Sequence, residues 1–174
     1  LKANATGDGV GIYTKLNVEN YGGMIYDSWF DRPLSVAGRV IVREENRLRA
    51  VLVVIDRDLV LIPHVAIHQM RNINSGVTYN PATDLCPLFG EKNAKLTPHL
   101  AKAAGVSEEQ IVATDLYLYN RVPGTIWGNG DAFFSSARID NLQCAYATLR
   151  GFLAGADPTG ERGIAVYSSF DNEE

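Results

Sequence analysis

Apolar and polar residues alternate along positions 12–18, and that period of two predicts a half-buried strand. The same texture recurs at 34–42, broken by Gly38, and again at 47–55 and 59–62. The last two flank Asp56-Arg57-Asp58 and read as a hairpin. Pro63 suits the first position of a helix, so 64–70 reads as about two helical turns. Residues 75–95 are punctuated by Gly, Asn and Pro and read as irregular. Thr97-Pro98 is an N-cap followed by proline at the first helical position, and Gly105 closes that helix. Ser107-Glu108-Glu109-Gln110 is a capping-box pattern that opens a short turn before a strand at 111–119. Residues 123–130 read as loop.

The texture then changes. Leu142, Ala145, Tyr146, Leu149, Phe152 and Leu153 recur with the period of an amphipathic helix over 140–153, which Gly155 and Pro158 end. A continuous apolar run at 163–170 suits a strand covered on both faces. Helix, loop, buried strand and then acidic residues make an α/β pattern. The sequence therefore divides into a β-rich module over roughly 17–125 and an α/β portion at 126–174, with residues 1–16 returning to the α/β portion as a strand segment.

Composition narrows the function classes. The 174 residues are 46% hydrophobic and 21% charged, which suits a globular chain with a real core. A net charge of −4 with no basic stripe argues against a nucleic-acid partner. The longest apolar stretch, 50–55, is too short to span a bilayer. Leu1-Lys2-Ala3-Asn4 has no apolar signal-peptide core, and the acidic end directly after a strand reads as that of an excised segment. Cys86 and Cys144 lie far apart among apolar residues and read as buried free thiols in a reducing, cytoplasmic setting.

Three motifs carry candidate chemistry. Asp171-Asn172-Glu173-Glu174 sets three carboxylates at the end of a strand, where α/β sheets bind ligands. Successive residues leaving a strand point in opposite directions, so one glutamate can bind a metal while its neighbour reaches a water. A solvated acidic strand end is the plainer alternative. Arg138-Ile139-Asp140-Asn141-Leu142 opens the amphipathic helix, so Asp140 is either an N-cap or a carboxylate shared by two metal ions. Ile62-Pro63-His64-Val65-Ala66-Ile67-His68 sets two histidines at i and i+4, but the helical zinc-protease pattern needs Glu where Val65 stands. Tyr21-Gly22-Gly23 and Trp29-Phe30-Asp31-Arg32 are either packing or a substrate rim.

Four segments together resemble the aspartyl aminopeptidase family in order and spacing. They are Tyr21-Gly22-Gly23-Met24-Ile25 with Trp29-Phe30-Asp31-Arg32-Pro33-Leu34 and Ala37-Gly38-Arg39-Val40, the Ile62–His68 motif with Arg71-Asn72-Ile73-Asn74, the Arg138–Leu142 motif, and Asp171-Asn172-Glu173-Glu174. The resemblance implies an α/β fold in which a β-rich dimerisation domain is inserted into an α/β metallopeptidase domain, here truncated. It implies a cocatalytic pair of zinc ions and release of one N-terminal residue, acidic or large and apolar, from a peptide substrate. By motif position Asp140 is the bridging carboxylate and Glu174 a ligand of one metal. Glu173 is the general base for the bridging water. His68 reaches a neighbouring subunit's active site, to hold substrate or stabilise the oxyanion. The family's His-x-Asp pair falls before Leu1, and a further Asp and His fall after Glu174. Two of five protein ligands are therefore expected here, and the chain alone is expected to be inactive and to self-associate. The alternative is a noncatalytic oligomerisation module.

Overall fold

A computed structural model describes residues 1–155 and 163–170. The chain divides into two compact units, Leu1–Arg121 and Val122–Glu174.

In the first unit, β1 (Lys2–Val10), β2 (Tyr13–Glu19), β3 (Leu34–Glu44), β4 (Arg47–Val54), β5 (Leu88–Glu91) and β6 (Ile111–Asn120) form one sheet. Its order is β4-β3-β6-β1-β2-β5, with every pairing antiparallel. The alternation read from the sequence is what buries its face. Leu34, Val36, Val40 and Val42 of β3 are fully buried, as are Leu116 of β6 and Leu16 of β2. A short helix α1 (Pro81–Asp84), capped by the Asn80 side chain accepting from the Ala82 N–H, and α2 (Thr97–Ala104) complete the core with Leu85, Leu96 and Leu100. Two hydroxyls, from Ser35 and Tyr119, donate to the Ile55 carbonyl oxygen at 2.7 and 2.9 Å, so this buried corner has no idle acceptor.

Several elements differ from the sequence reading. Residues 60–62 do not return along β4 as a hairpin. They bridge to Leu34, Phe30 and Leu88 instead, because the Ile55 N–H bonds to Val36 and Arg121 holds the turn through Asp56 and Asp58 at 2.6 and 2.7 Å. The helix expected at 64–70 is a single turn at Ala66, whose carbonyl accepts from the Gln69 and Met70 N–H groups. Upstream of that turn, the His64 N–H donates to the Asp31 carboxylate. Helix α2 begins at Thr97 with Leu96 as its cap residue, one position before the expected N-cap, and ends as expected on Gly105 at φ +70°. The capping box Ser107–Gln110 forms in both directions. Residues 1–16, assigned from sequence to the catalytic domain, pair inside this sheet, with β1 between β2 and β6.

In the second unit, β7 (Thr125–Trp127) and β8 (Phe133–Ser135) form a small hairpin where loop was expected. Trp127 stacks on Phe133 at 4.8 Å, and its indole N–H donates to Ser135 Oγ at 2.7 Å. Helix α3 (Ile139–Gly155) follows the amphipathic pattern. The apolar run 163–170 is not a buried strand. Among the described residues it pairs with no strand, and Ile164 is 95% exposed. It meets α3 through Tyr167, whose ring lies 5.6 Å from Phe152 and whose hydroxyl donates to the Ala145 carbonyl at 3.3 Å. Cys86 is a buried free thiol, as expected, but Cys144 is exposed.

Candidate functional site

The Ile62–His68 segment leaves the core at Ile62, which is fully buried and bridged to Phe30. A 3-10 turn, Tyr26–Trp29, delivers Phe30 into the core and sets Asp31 at a corner with φ +53°. The Asp31 N–H donates to the Ile62 carbonyl at 2.9 Å. Its carboxylate then grips His64 twice. The backbone N–H of His64 donates to Oδ1 at 3.0 Å, and Nδ1 lies 2.8 Å from Oδ2. An ionised carboxylate only accepts, so Nδ1 carries the proton. The His64 backbone N–H, and then its ring, hold the Asp31 carboxyl below the usual carboxylate range. The imidazole lies flat on Phe30, with ring centres 4.2 Å apart.

Its other nitrogen faces Tyr79, 3.5 Å from the hydroxyl. That hydroxyl donates to Asp27 Oδ1 at 2.8 Å, which raises the Tyr79 pKa because the neutral phenol is the hydrogen-bond donor. Beneath this cluster is a cavity of about 190 Å³, lined by Phe30, His64, Met70, Tyr79, Cys86 and Lys15. It is of a size that holds a small ring.

His68 lies in the turn that follows. It is exposed, and among the described residues it makes no hydrogen bond or ion pair. The two histidines thus have different situations: one is committed to its own unit, and the other is open to solvent. They do not share a helix face.

Asp140 belongs to the second unit. Its backbone is extended, at φ −79° and ψ 113°, and its peptide bond to Asn141 is cis. It is exposed, and its carboxylate makes no hydrogen bond to a described residue, so the expected N-capping bond is not formed. Glu173 and Glu174 lie outside the described residues. Zinc takes three or four N, O or S donors. Among the described residues no three His, Cys, Asp or Glu side chains come together. The described donors do not fit a zinc centre by themselves.

The residues that sequence reasoning missed are Asp27, Asp31 and Tyr79. In the sequence Asp31 stands out only as part of the aromatic segment Trp29–Arg32, and nothing local links it to His64 across 33 positions.

Comparison with known proteins decides the family. The family model for aminopeptidase I zinc metalloproteases (M18) matches residues 1–174. The chain belongs to the M18 family. A Clostridium novyi protein named "Probable M18 family aminopeptidase 2" is 41% identical over 170 residues, covering 93% of this chain and 39% of that protein. Aspartyl aminopeptidase 4 of Saccharomyces cerevisiae is 33% identical over 194 residues, covering 93% and 40%. The chain therefore spans about two fifths of the length of these M18 relatives. Among solved structures, the complex of Ape4 and Nbr1 matches with a TM-score of 0.80 at 31% identity, over 92% of this chain and 36% of that one. The Chaetomium thermophilum mApe1 structure matches at 0.77 and 26%, over 93% and 40%. The mixed α/β fold is thus that of M18 aminopeptidases, a family of metalloprotease hydrolases. No helix among the described residues is long and apolar enough to cross a membrane.

Proposed function

We propose that this chain is a segment of a zinc-dependent aminopeptidase that releases single N-terminal residues, acidic or apolar, from peptides. The observation that carries the reading is the M18 match along residues 1–174. In support, the carboxylate of Asp140 is exposed and unbonded at the head of α3. On this reading Asp140 and Glu174 are the carboxylates contributed to the metal pair. Glu173 is the general base that takes a proton from the attacking water.

In support of an inserted dimerisation domain, read from sequence as 17–125, residues Leu1–Arg121 form a compact unit of their own. From it His68 extends into a neighbouring subunit's active site, where its imidazole holds substrate or donates to the developing oxyanion. The exposure of His68 supports this choice over His64. The two free thiols suit a cytoplasmic enzyme.

The test uses the full-length protein and an aminoacyl-nitroanilide. Glu173→Gln is expected to lower kcat on the order of 10²- to 10⁴-fold, and a chelator to abolish turnover. Chelator-insensitive turnover, or a Glu173→Gln variant at wild-type rate, rejects the proposal.

A second reading is a noncatalytic oligomerisation module. It is favoured by a first unit that has its own core. The 174-residue chain by itself then self-associates in light scattering and shows no turnover, while a strict monomer at high concentration counts against it.

A further inference from the structure

The turn that carries His68 is not held by a helix. A single carbonyl, that of Ala66, closes it by accepting from Gln69 and Met70 at 2.8 and 3.3 Å. Upstream of it, several contacts converge on one side chain. Asp31 sits in the left-handed region, which few residues other than glycine tolerate and where Asp is among those enriched. From that corner its N–H bonds to Ile62, and both carboxylate oxygens engage His64. These three bonds enclose Pro63, so the chain can leave the core in only one direction. Phe30 supplies the floor, being buried itself and stacked under the imidazole.

The alternative, that Asp31 and His64 form a catalytic dyad, fits the geometry less well. The free nitrogen of His64 is turned towards Tyr79 and Asp27 of its own unit, at 3.5 and 3.9 Å. His68, four residues on, is the exposed one.

We propose that Asp31 is a positioning residue for His68. Its two-oxygen grip on His64 fixes the start of the segment, and with it the direction in which the turn presents the His68 imidazole. The inference rests on the reading that His68 acts at a neighbouring subunit's active site.

The experiment is a double-mutant cycle in the full-length enzyme, with Asp31→Ala, His68→Ala and the pair, assayed by steady-state kinetics on an aminoacyl-nitroanilide. Asp31→Ala is expected to lower kcat on the order of 10- to 100-fold through misplacement, with the oligomeric state unchanged. In the His68→Ala background it is expected to cost nothing further. Asp31→Asn keeps the left-handed corner and one acceptor, and is expected to recover most of the loss.

Equal losses from Asp31→Ala in both backgrounds mean that it acts elsewhere, and they overturn the inference. So does an Asp31→Ala variant within twofold of wild type while His68→Ala is impaired. A His68→Ala enzyme at wild-type rate instead overturns the reading of His68 itself, and the two failures are distinguishable. Should Asp31→Ala not fold, His64→Ala takes its place in the cycle, with the same non-additive loss expected and the same outcomes overturning the inference.

Discussion

Replacing Gly38 by alanine drives a methyl group into the backbone of the neighbouring strand. Gly38 lies inside β3 opposite Leu116 of β6, and its φ is +153°. A Cβ built there lies 2.2 Å from the Asp115 carbonyl oxygen and 2.9 Å from Leu116 Cα. Ordinary carbon–oxygen contacts between strands are about 3.3–3.6 Å, so roughly 1 Å must open between β3 and β6. Neither side can yield by rotating a side chain, because both the glycine and the obstructing atoms are backbone. Overpacking costs about 1–3 kcal/mol, and a strained ladder loses one or two hydrogen bonds of about 1 kcal/mol each. The expected destabilisation is therefore about 3–4 kcal/mol. In urea, with a slope of about 1.5–2 kcal/mol per molar, the midpoint falls by about 2 M. The assay is urea unfolding of the 174-residue chain followed by tryptophan fluorescence and circular dichroism. A midpoint within about 0.3 M of wild type refutes the close approach and the strand register that produces it.

Two further outcomes follow from other parts of the molecule. Burial first, and then the charges of Arg57 and Lys102, lower the pKa of His99 below its ordinary 6.5. The folded state thus binds the proton less readily than the unfolded chain. The neutral ring's contribution is complete above pH 6.5 and is lost as the pH falls through the lowered value. His99→Gln is expected to lose less melting temperature between pH 7.5 and pH 5 than wild type (about that range suffices), and equal losses refute the assignment. Amide exchange is expected to protect β3 and β6 and to leave α3 fast, because the first unit has a continuous core while Leu142, Tyr146 and Leu153 of α3 are exposed. Equal protection of the two units contradicts that difference.

The β-rich part was legible because its pattern is long and local. The alternation through 34–42 and 111–119 is the alternation that buries Val36, Val40, Leu116 and Leu118, and a one-residue slip would expose all of them. The Ser107–Gln110 box and the Gly105 cap were legible because each is a contact within four residues. What failed was non-local. Pro63 gave 64–70 a helical start, but only one turn closes there, at Ala66, and the contacts of His64 are with Asp31, 33 positions away. The β7–β8 hairpin has strands of three residues, too short for alternation to register, and is held by an aromatic contact and one indole hydrogen bond. The run at 163–170 has the composition of a buried strand, but burial depends on neighbours, and a sequence pattern cannot supply them. The candidate site divides the same way. Motif order singled out His68 and Asp140, whereas the Asp31–His64–Tyr79 support was invisible because its members touch only in the folded chain.

The two units therefore ask different things of the rest of an M18 protein. Residues Leu1–Arg121 bury their own aliphatic face, satisfy the hydroxyls of Ser35 and Tyr119 internally, and hold the His64 end of the His68 segment with bonds made inside the unit. Its β4 edge nevertheless leaves Leu48, Leu52 and Val54 exposed. Among the described residues of the second unit none is buried in a core: Val166 and Phe170 are exposed, as are Leu142, Tyr146 and Leu153 of α3. Apolar surface of that kind is stable only when covered. On the proposed reading, then, the His68 segment is held by the first unit's own bonds, while chemistry at Asp140 belongs to full-length M18 proteins, of whose length this chain spans about two fifths.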